Sequence, residues 1–511
     1  MEFPLQHKTS ISFSSGDLDL FSKASHDRNP LHLSEDYARK TPFAQRVVFG
    51  VLGGLSCLKY LQDRADFQLK KIFLEFLGPL FINQFYSLEI TESSQEQVTA
   101  RIFDGRRLML KMKVNFRPGN SPTIQAVSAQ ASRTEAVMLS PSELTRGIKL
   151  DEATYCPNLE ALRILAYQLS LPEKGVGEVE IATLLWASYF VGMELPGFQA
   201  LFSKLTLSFE NSLPNLKKPF SYTSSLTYFD DRYNLLRTKA ELSDNGKSFA
   251  TGEIQSFIRP TSTISTSQYL ETLLPSSEFL KGKVALVTGA SRGLGAAIAQ
   301  SLALQGCTVL ANFLRSYPEA KSLQKALENA PGQVILMQGN AAELSWCLSA
   351  KQEIISRYGK LDFLICNACP AILPLWLEPT AVDRVNEYVA QSLALMSVPM
   401  STFLSLVSES LGWNIVISSI YASQAFPADL PHYVIAKSAI EGLTKVAASE
   451  YKDINFAIVR PPKLLTDQTN TPIGRQNAIS VEKVAVSITE HLRNVSNKTQ
   501  IDILENIWEI D

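Results

Sequence analysis

Asp27 and His32 stand five residues apart in HDRNPLHL, on either side of an Asn29-Pro30 turn. A carboxyl and an imidazole facing one reacting centre form a general acid/base pair, because each can hold or release a proton near neutral pH. The plainer alternative is a surface loop in which Asp27 caps the following helix and His32 is incidental. A second set lies far downstream. Tyr433 and Lys437 in HYVIAKSA are four apart, so a helix puts them on one face. An ammonium beside a phenol lowers the phenol's proton affinity and can bind a ribose hydroxyl, and the phenol can then protonate a carbonyl as hydride arrives. Ser419, which ends the apolar run WNIVISS, is placed to hold the carbonyl oxygen.

A third feature is TGASRGLG, residues 288–295, with glycines at 289, 293 and 295. Such glycines let a strand turn tightly into a helix whose N-terminal N–H groups face a pyrophosphate. An acidic residue at the end of the next strand would hold a ribose 2′-hydroxyl. Asn312 and Phe313 stand there instead, followed by Arg315, with Arg292 inside the glycine turn. Two guanidiniums without a carboxylate point to a 2′-phosphate, hence to NADP(H). Cys366 and Cys369 form a C-x-x-C pair, but they follow an apolar strand in a place better explained by that nucleotide site. The five histidines (7, 26, 32, 432 and 491) do not cluster with cysteines or carboxylates, so no metal site is expected.

Positioning these groups takes two kinds of scaffold. After a helix that begins near Gly50, apolar and polar residues alternate through two runs, with an Asp104-Gly105 turn inside the second, which predicts an antiparallel sheet wrapped on one helix. Residues 182–260 repeat the plan: an apolar helix, a strand, then strands around an Asn245-Gly246 turn. One copy closes on NFRP and the other on FIRP. Trp186, Tyr189 and Phe190, at helical spacing, read as core. Residues 260–280 shift to Ser, Thr and Pro, as in a connector with at most one helical turn. Beyond them apolar strands alternate with helices, which predicts a parallel sheet covered on both faces. The expected domains are residues 1–150, 151–262, a linker over 263–280, and 281–511.

Length and composition are compatible with this division. The 511 residues exceed one core, and 45% hydrophobic with 19% charged residues is ordinary globular composition. A net charge of -2 gives no basic field, so nucleic acid is not an expected partner. Six scattered cysteines suggest free thiols in a reducing compartment. MEFPLQHKTS lacks a secretory pattern, and the apolar stretch Val47 to Leu58 is too short to span a bilayer. The expected location is cytoplasmic, without a membrane partner.

Asp27, Asn29, Pro30, Leu31 and His32 together resemble the hydratase 2 motif of the MaoC-like hotdog family of (R)-specific enoyl-thioester hydratases and dehydratases. The resemblance implies that Asp27 and His32 are catalytic and that the backbone N–H of Gly50 polarises the thioester oxygen. Phe49 stands where that family often has His. Residues 151–280 hold no histidine and nothing like the motif. They resemble the second, degenerate half of the family's double hotdogs, which often shapes the acyl tunnel.

The glycine turn, Ser419, Tyr433 and Lys437 resemble the short-chain dehydrogenase/reductase family, of the 3-ketoacyl reductase type, over about residues 280–511. This implies a doubly wound Rossmann-type sheet, with Tyr433 as proton donor, Ser419 and Lys437 completing the set, and Gln391 (Asn386 is near) in place of a helix asparagine. Cofactor contacts are implied at Gly289, Ser291, Arg292, Gly293, Leu294, Gly295, Phe313, Arg315, Asn340, Ala341, Asn367, Ala368, Tyr433, Lys437, Pro461 and Thr466. Cys366 to Cys369 departs from the usual Asn-Asn-Ala-Gly, Pro462 from a glycine, and Asn340 from an aspartate.

The two resemblances imply consecutive steps. A 3-ketoacyl thioester, on CoA or an acyl carrier protein, is reduced to the (3R)-alcohol and then dehydrated to the trans-2-enoyl thioester. Two alternatives keep one half as a non-catalytic binding or scaffold module, or run the pair oxidatively as hydratase and 3-hydroxyacyl dehydrogenase. By analogy a homo-oligomer is expected.

Overall fold

Period-two alternation is realised in the first unit of the computed structural model as ten antiparallel strands. These are β1 (Leu5–Ile11), β2 (Phe67–Phe76), β3 (Tyr86–Glu92), β4 (Gln97–Asp104), β5 (Arg107–Pro118), β6 (Lys149–Tyr155), β7 (Ala200–Phe209), β8 (Phe220–Asp230), β9 (Leu235–Asp244) and β10 (Lys247–Ile258). The structure describes residues 4–120, 123–125, 133–139, 144, 149–211, 213–260, 265–493 and 501–508. Its two compact units are Met1–Thr261 with Thr471–Ile473, and Ser262–Asn470 with Gly474–Asp511.

The ten strands form one sheet in the order β1-β3-β4-β5-β2-β7-β10-β9-β8-β6. Read from either edge to the centre, each half follows the same path, so the internal repeat is visible in the connectivity. The halves join at β2 and β7, which pair antiparallel from Lys71↔Ser208 to Glu75↔Lys204. The helices of this unit are α1 (Ser15–Ser25), α2 (Pro30–Leu33), α3 (Glu35–Ala38), α4 (Gly50–Leu58), α5 (Leu159–Gln168) and α6 (Glu178–Tyr189). Helix α6 is buried on every side from Val179 to Tyr189, mostly by apolar residues but with Glu180, Thr183 and Ser188 among them, and its C-terminus widens into a π-helical turn, Phe190–Glu194. Trp186, Tyr189 and Phe190 are core residues, the indole and the Phe190 ring stacking at 5.4 Å.

Helix α1 starts in a reciprocal Ser14–Asp17 capping box and ends at His26, whose left-handed backbone (φ 59°) turns the chain into Asp27. The Asn29 side chain accepts from the N–H of Leu31, and Pro30 opens α2. Asp27 and His32 therefore leave a braced turn between two helices.

In the second unit apolar runs with helical crossovers give a parallel sheet. Its strands are β11 (Val284–Val287), β12 (Thr308–Phe313), β13 (Gln333–Gln338), β14 (Phe363–Cys366), β15 (Trp413–Ile417), β16 (Asn455–Val459) and β17 (Asp502–Leu504). The order β13-β12-β11-β14-β15-β16-β17 reverses direction between β11 and β14, the switch point where α/β sheets bind ligands. The helices are α7 (Ser267–Leu273), α8 (Gly293–Leu304), α9 (Tyr317–Ala326), α10 (Leu344–Tyr358), α11 (Val382–Glu409), α12 (Pro431–Glu450) and α13 (Val481–His491). Of the segment expected to be a linker, residues 263–264 lie outside the described residues; the rest is built into this unit, with Leu270, Leu274 and Leu280 in its core. Helix α11, with the 3-10 turn Pro379–Ala381 before it, is long and apolar enough to cross a membrane by length and composition, unlike the shorter Val47–Leu58 stretch. Its Phe403, Leu404 and Val407 are buried in the core of the unit.

Candidate active sites

Asp27 is 2% exposed, and every bond it makes is local or comes from the second half of its unit. Its Oδ1 accepts from the Asn29 N–H (3.1 Å) and its Oδ2 from the Ser188 hydroxyl on α6 (2.7 Å). The π-helical turn comes so close that a Cβ on Gly192 would lie 2.4 Å from Oδ1. Asn29 Nδ2 donates to the carbonyls of Gly192 (3.0 Å) and Gly197 (3.1 Å), which fixes the turn against that segment. Burial pushes the Asp27 carboxyl up to about 7, although the Ser188 and Asn29 bonds pull the other way.

His32 takes the opposite course. Its Nδ1 lies 2.6 Å from the Val47 carbonyl, which can only accept, so Nδ1 carries the proton and Nε2 the lone pair. Among the described residues Nε2 has no hydrogen-bond partner. The ring stacks on Phe49 at 3.9 Å, so the residue replacing the family's His serves as a platform for the imidazole. Burial pushes His32 down to about 4 against the Val47 bond, and the Arg259 charge lowers it further. The usual order of proton affinity is thus inverted: between about 4 and about 7 the carboxyl holds a proton that the imidazole does not. No hydrogen bond joins the two groups directly. Gly50 is the first residue of α4, where N–H groups have no intrahelical acceptor, and a Cβ there would meet the Phe76 ring at 2.8 Å. A cavity of about 390 Å³ beside this turn is lined by Lys23, His26, Arg28 and Asn158, among others.

In the second unit the glycine turn after β11 faces the loop after β14. Gly289 and Gly293 take positive φ (67° and 57°), and a Cβ on Gly295 would lie 2.2 Å from the Gly289 carbonyl and 2.5 Å from Asn367 Nδ2. Asn367 donates to the carbonyls of Thr288 and Gly289, both at 3.1 Å, and Ala368 packs on Gly289. Ser291 and Arg292 are part-buried, while Leu294 and Ala341 are buried. Thr466 stands beside Gly293, and the Pro461 carbonyl accepts from Ile420.

Three residues expected at the cofactor, Phe313, Arg292 and Asn340, have protein partners of their own, and so does Asn312. Asn312 braces the turn from beneath, donating to the Met337 and Gly339 carbonyls. Phe313 is 2% exposed with its ring toward Tyr317, so its side chain is spent in packing. Arg292 pairs with Asp467 at 3.3 Å, which leaves Arg315 as the exposed guanidinium after β12. Asn340 accepts from the Ala342 N–H and donates to Glu343, holding its own turn.

Tyr433 and Lys437 leave one face of α12. Lys437 Nζ donates to the Ile417 carbonyl (2.8 Å) and lies 5.6 Å from the Tyr433 ring. The expected lowering of the phenol is not what the structure gives: burial and nearby Cys369 push Tyr433 above the usual phenol range, outweighing the Ser419 hydroxyl that pulls it down. Ser418 bonds Glu441 (2.7 Å), which pairs with Arg460 (2.7 Å), locking the end of β15 onto α12. Gln391 corrects the sequence reading. It is exposed and donates to Glu387 one turn back, because the inward face of α11 carries Val385, Tyr388, Ser392 and Met396 at helical spacing. Asn386 is exposed as well. Tyr388 is the residue that reaches the site, its hydroxyl 3.4 Å from Cys369 Sγ. Ser188, Gly192, Tyr388 and Asp467 carry no local signature that would have singled them out.

A family model described as MaoC like domain matches residues 2–108, and one described as short chain dehydrogenase matches residues 283–476. The chain joins a MaoC-like domain to a short-chain dehydrogenase domain. Among similar proteins, an uncharacterized oxidoreductase of Methylorubrum extorquens is 29% identical over 198 residues, covering 38% of this chain and 77% of its own. A hydroxynaphthalene reductase of Aspergillus fumigatus is 32% identical over 174 residues, 34% of this chain and 62% of its own. A solved blue fluorescent protein from a metagenomic library, in complex with NADPH, shows 25% identity and a TM-score of 0.40, covering 44% of this chain and 96% of its own. The dehydrogenase domain carries the glycine turn at residues 288–295, and the MaoC-like domain carries Asp27 and His32 on one braced turn.

Proposed function

We propose that the dehydrogenase domain reduces a 3-ketoacyl thioester with NADPH and that the MaoC-like domain dehydrates the resulting (3R)-hydroxyacyl thioester to the trans-2-enoyl product. The observation that carries the second step is the braced turn that holds both groups: Asp27 is buried with the Ser188 hydroxyl on its Oδ2, and His32 has Nδ1 on the Val47 carbonyl, which leaves the Nε2 lone pair as base; burial, which raises the carboxyl and lowers the imidazole, supports the same roles. In the dehydrating direction His32 Nε2 takes the α-proton and the Asp27 carboxyl protonates the departing 3-hydroxyl, which leaves as water. The proton then returns from imidazolium to carboxylate. The Gly50 N–H polarises the thioester carbonyl.

For the first step, NADPH when bound supplies hydride to C3. The neutral Tyr433 phenol gives its proton to the 3-oxygen, Ser419 holds that oxygen, and the Lys437 ammonium stays against the phenol ring to compensate charge as the proton leaves. NADP(H) preference is supported by exposed Arg315 and by the absence of a carboxylate at the end of β12. The acyl carrier is CoA or an acyl carrier protein, and six free cysteines suit a reducing compartment such as the cytoplasm.

Purified protein with NADPH and a 3-ketoacyl thioester is expected to give enoyl thioester. Asp27→Asn stops the sequence at the hydroxy stage, with dehydration slowed on the order of 10² to 10⁴-fold. Tyr433→Phe abolishes NADPH oxidation. Enoyl product from Asp27→Asn at the wild-type rate sinks the assignment.

A further inference from the structure

Arg259 belongs to the FIRP segment that closes the first unit, and its side chain has no counter-ion among the described residues. It is 5% exposed. Nη2 donates to the Tyr37 hydroxyl (2.7 Å) and the Phe198 carbonyl (3.3 Å), the guanidinium lies 5.4 Å from the centre of the Tyr37 ring, and Nε has no acceptor. Arg259 forms no ion pair with any described residue. The contrast lies within the same domain: Arg64, equally buried, is paired with the buried carboxylate of Glu92. An isolated buried charge is strongly unfavourable unless something compensates it.

Its position is tied to the acid/base turn. The Phe198 carbonyl accepts from Arg259 Nη2 and also from Asn29 Nδ2 (3.3 Å), so one oxygen joins the guanidinium to the turn between Asp27 and His32. Tyr37, the other acceptor, lies on α3, directly after the helix that carries His32. The charge also reaches His32 itself, whose protonation it opposes.

Among the described residues no carboxylate pairs with this cation, and while Asp27 keeps its proton and His32 is neutral neither group supplies a negative charge. When the α-proton moves to His32, the thioester becomes enolate-like, which a guanidinium favours, and the imidazole becomes a cation, which it opposes; Arg259 assists the step to the extent that the enolate is the nearer of the two. Interactions realised only at that point accelerate the chemical step instead of tightening substrate binding. We infer that Arg259 is the countercharge for the enolate-like transition state of the elimination, a positioning residue supplied to the MaoC-like site by the second half of the unit. The inference rests on the proposed dehydration.

Two readouts test it. In dehydration of a 3-hydroxyacyl thioester, Arg259→Gln is expected to lower kcat on the order of 10²-fold with KM nearly unchanged, Arg259→Lys to recover much of the loss, and NADPH oxidation to be unaffected. Without NADPH, a 3-ketoacyl thioester binds unreduced, and near-UV absorbance of its enolate reports charge stabilisation directly. Wild type and Arg259→Lys should favour the bound enolate, and Arg259→Gln should lose it. Full kcat in Arg259→Gln, or an undiminished enolate signal, overturns the inference. If Arg259→Gln fails to fold, Arg259→Lys decides, an enolate signal near wild type supporting the countercharge and its absence overturning it. Asp27→Asn separates the two levels. If that variant still dehydrates at the wild-type rate, the dehydratase reading has failed; if it is inactive while Arg259→Gln is not, only the role of Arg259 has.

Discussion

Tyr433 and Lys437 share one helical face, and Ser419 lies two residues past the end of β15, capping the short turn before that helix, so the candidate dehydrogenase site is written in one short run of sequence. Asp27 draws its hydroxyl partner from Ser188, 161 residues away, and is shielded by a π-helical turn in a half of the chain that has no acid/base pair of its own. Both sites use burial to hold a proton, on a phenol in one and on a carboxyl in the other. The first is assembled by secondary structure and the second by tertiary contact between two copies of one plan. A half without an acid/base pair of its own therefore still sets the surroundings of Asp27.

The sharpest way to break this comparison is to add one methyl group to each site. Gly192→Ala puts a Cβ 2.4 Å from Asp27 Oδ1, and displacing that carboxyl is expected to slow dehydration on the order of 10²-fold while NADPH oxidation continues. Gly295→Ala puts one 2.2 Å from the Gly289 carbonyl and should do the reverse, weakening NADPH binding and leaving dehydration of a supplied hydroxyacyl thioester intact. Separate assays of the two steps check this. Equal losses in both steps for either variant would contradict the independence of the sites.

A smaller effect sharpens the role of Ser188. With Asp27 at about 7 as the acid and His32 at about 4 as the base, dehydration should be fastest between those values. It should fall roughly tenfold per pH unit above 7, where Asp27 loses its proton, and below 4, where His32 gains one. The Ser188 hydroxyl lowers Asp27, so Ser188→Ala should move the alkaline limb upward. An unchanged limb would show that the bond does not tune the carboxyl. The smallest effect expected is that of Gln391→Ala, which should change NADPH oxidation by less than about twofold, because Gln391 only bonds Glu387 on the outer face of α11. A large loss would return the helix asparagine's role to it.

What could be read from the residues follows the same division. The glycine turn, the Ser-Tyr-Lys set and the alternation of strands and helices are local patterns, and the parallel sheet follows from them. The repeat showed in the paired turns and the NFRP and FIRP closures, because register and turn chemistry leave marks in sequence. Ser188 and Gly192 did not show, since ASYFVG reads only as an apolar helix and nothing in it announces a carboxylate across the core. Gln391 was misplaced because alignment by count cannot tell inward from outward when neighbouring positions on a helix differ by about 100°. Arg315 was legible as a cation, while the partner of Arg292, Asp467, lies 175 residues further on.

The seam between β2 and β7 has one more implication. Severing the chain between the halves would strip hydrogen-bonding partners from a long interior edge on each fragment, and a fragment in that state readily satisfies itself with another copy of the same edge. Two N-terminal fragments joined in this way would carry two Asp27 turns and no Ser188. Such a dimer would look assembled to a sizing column while its carboxyls had lost the shielding turn whose burial holds a proton on them.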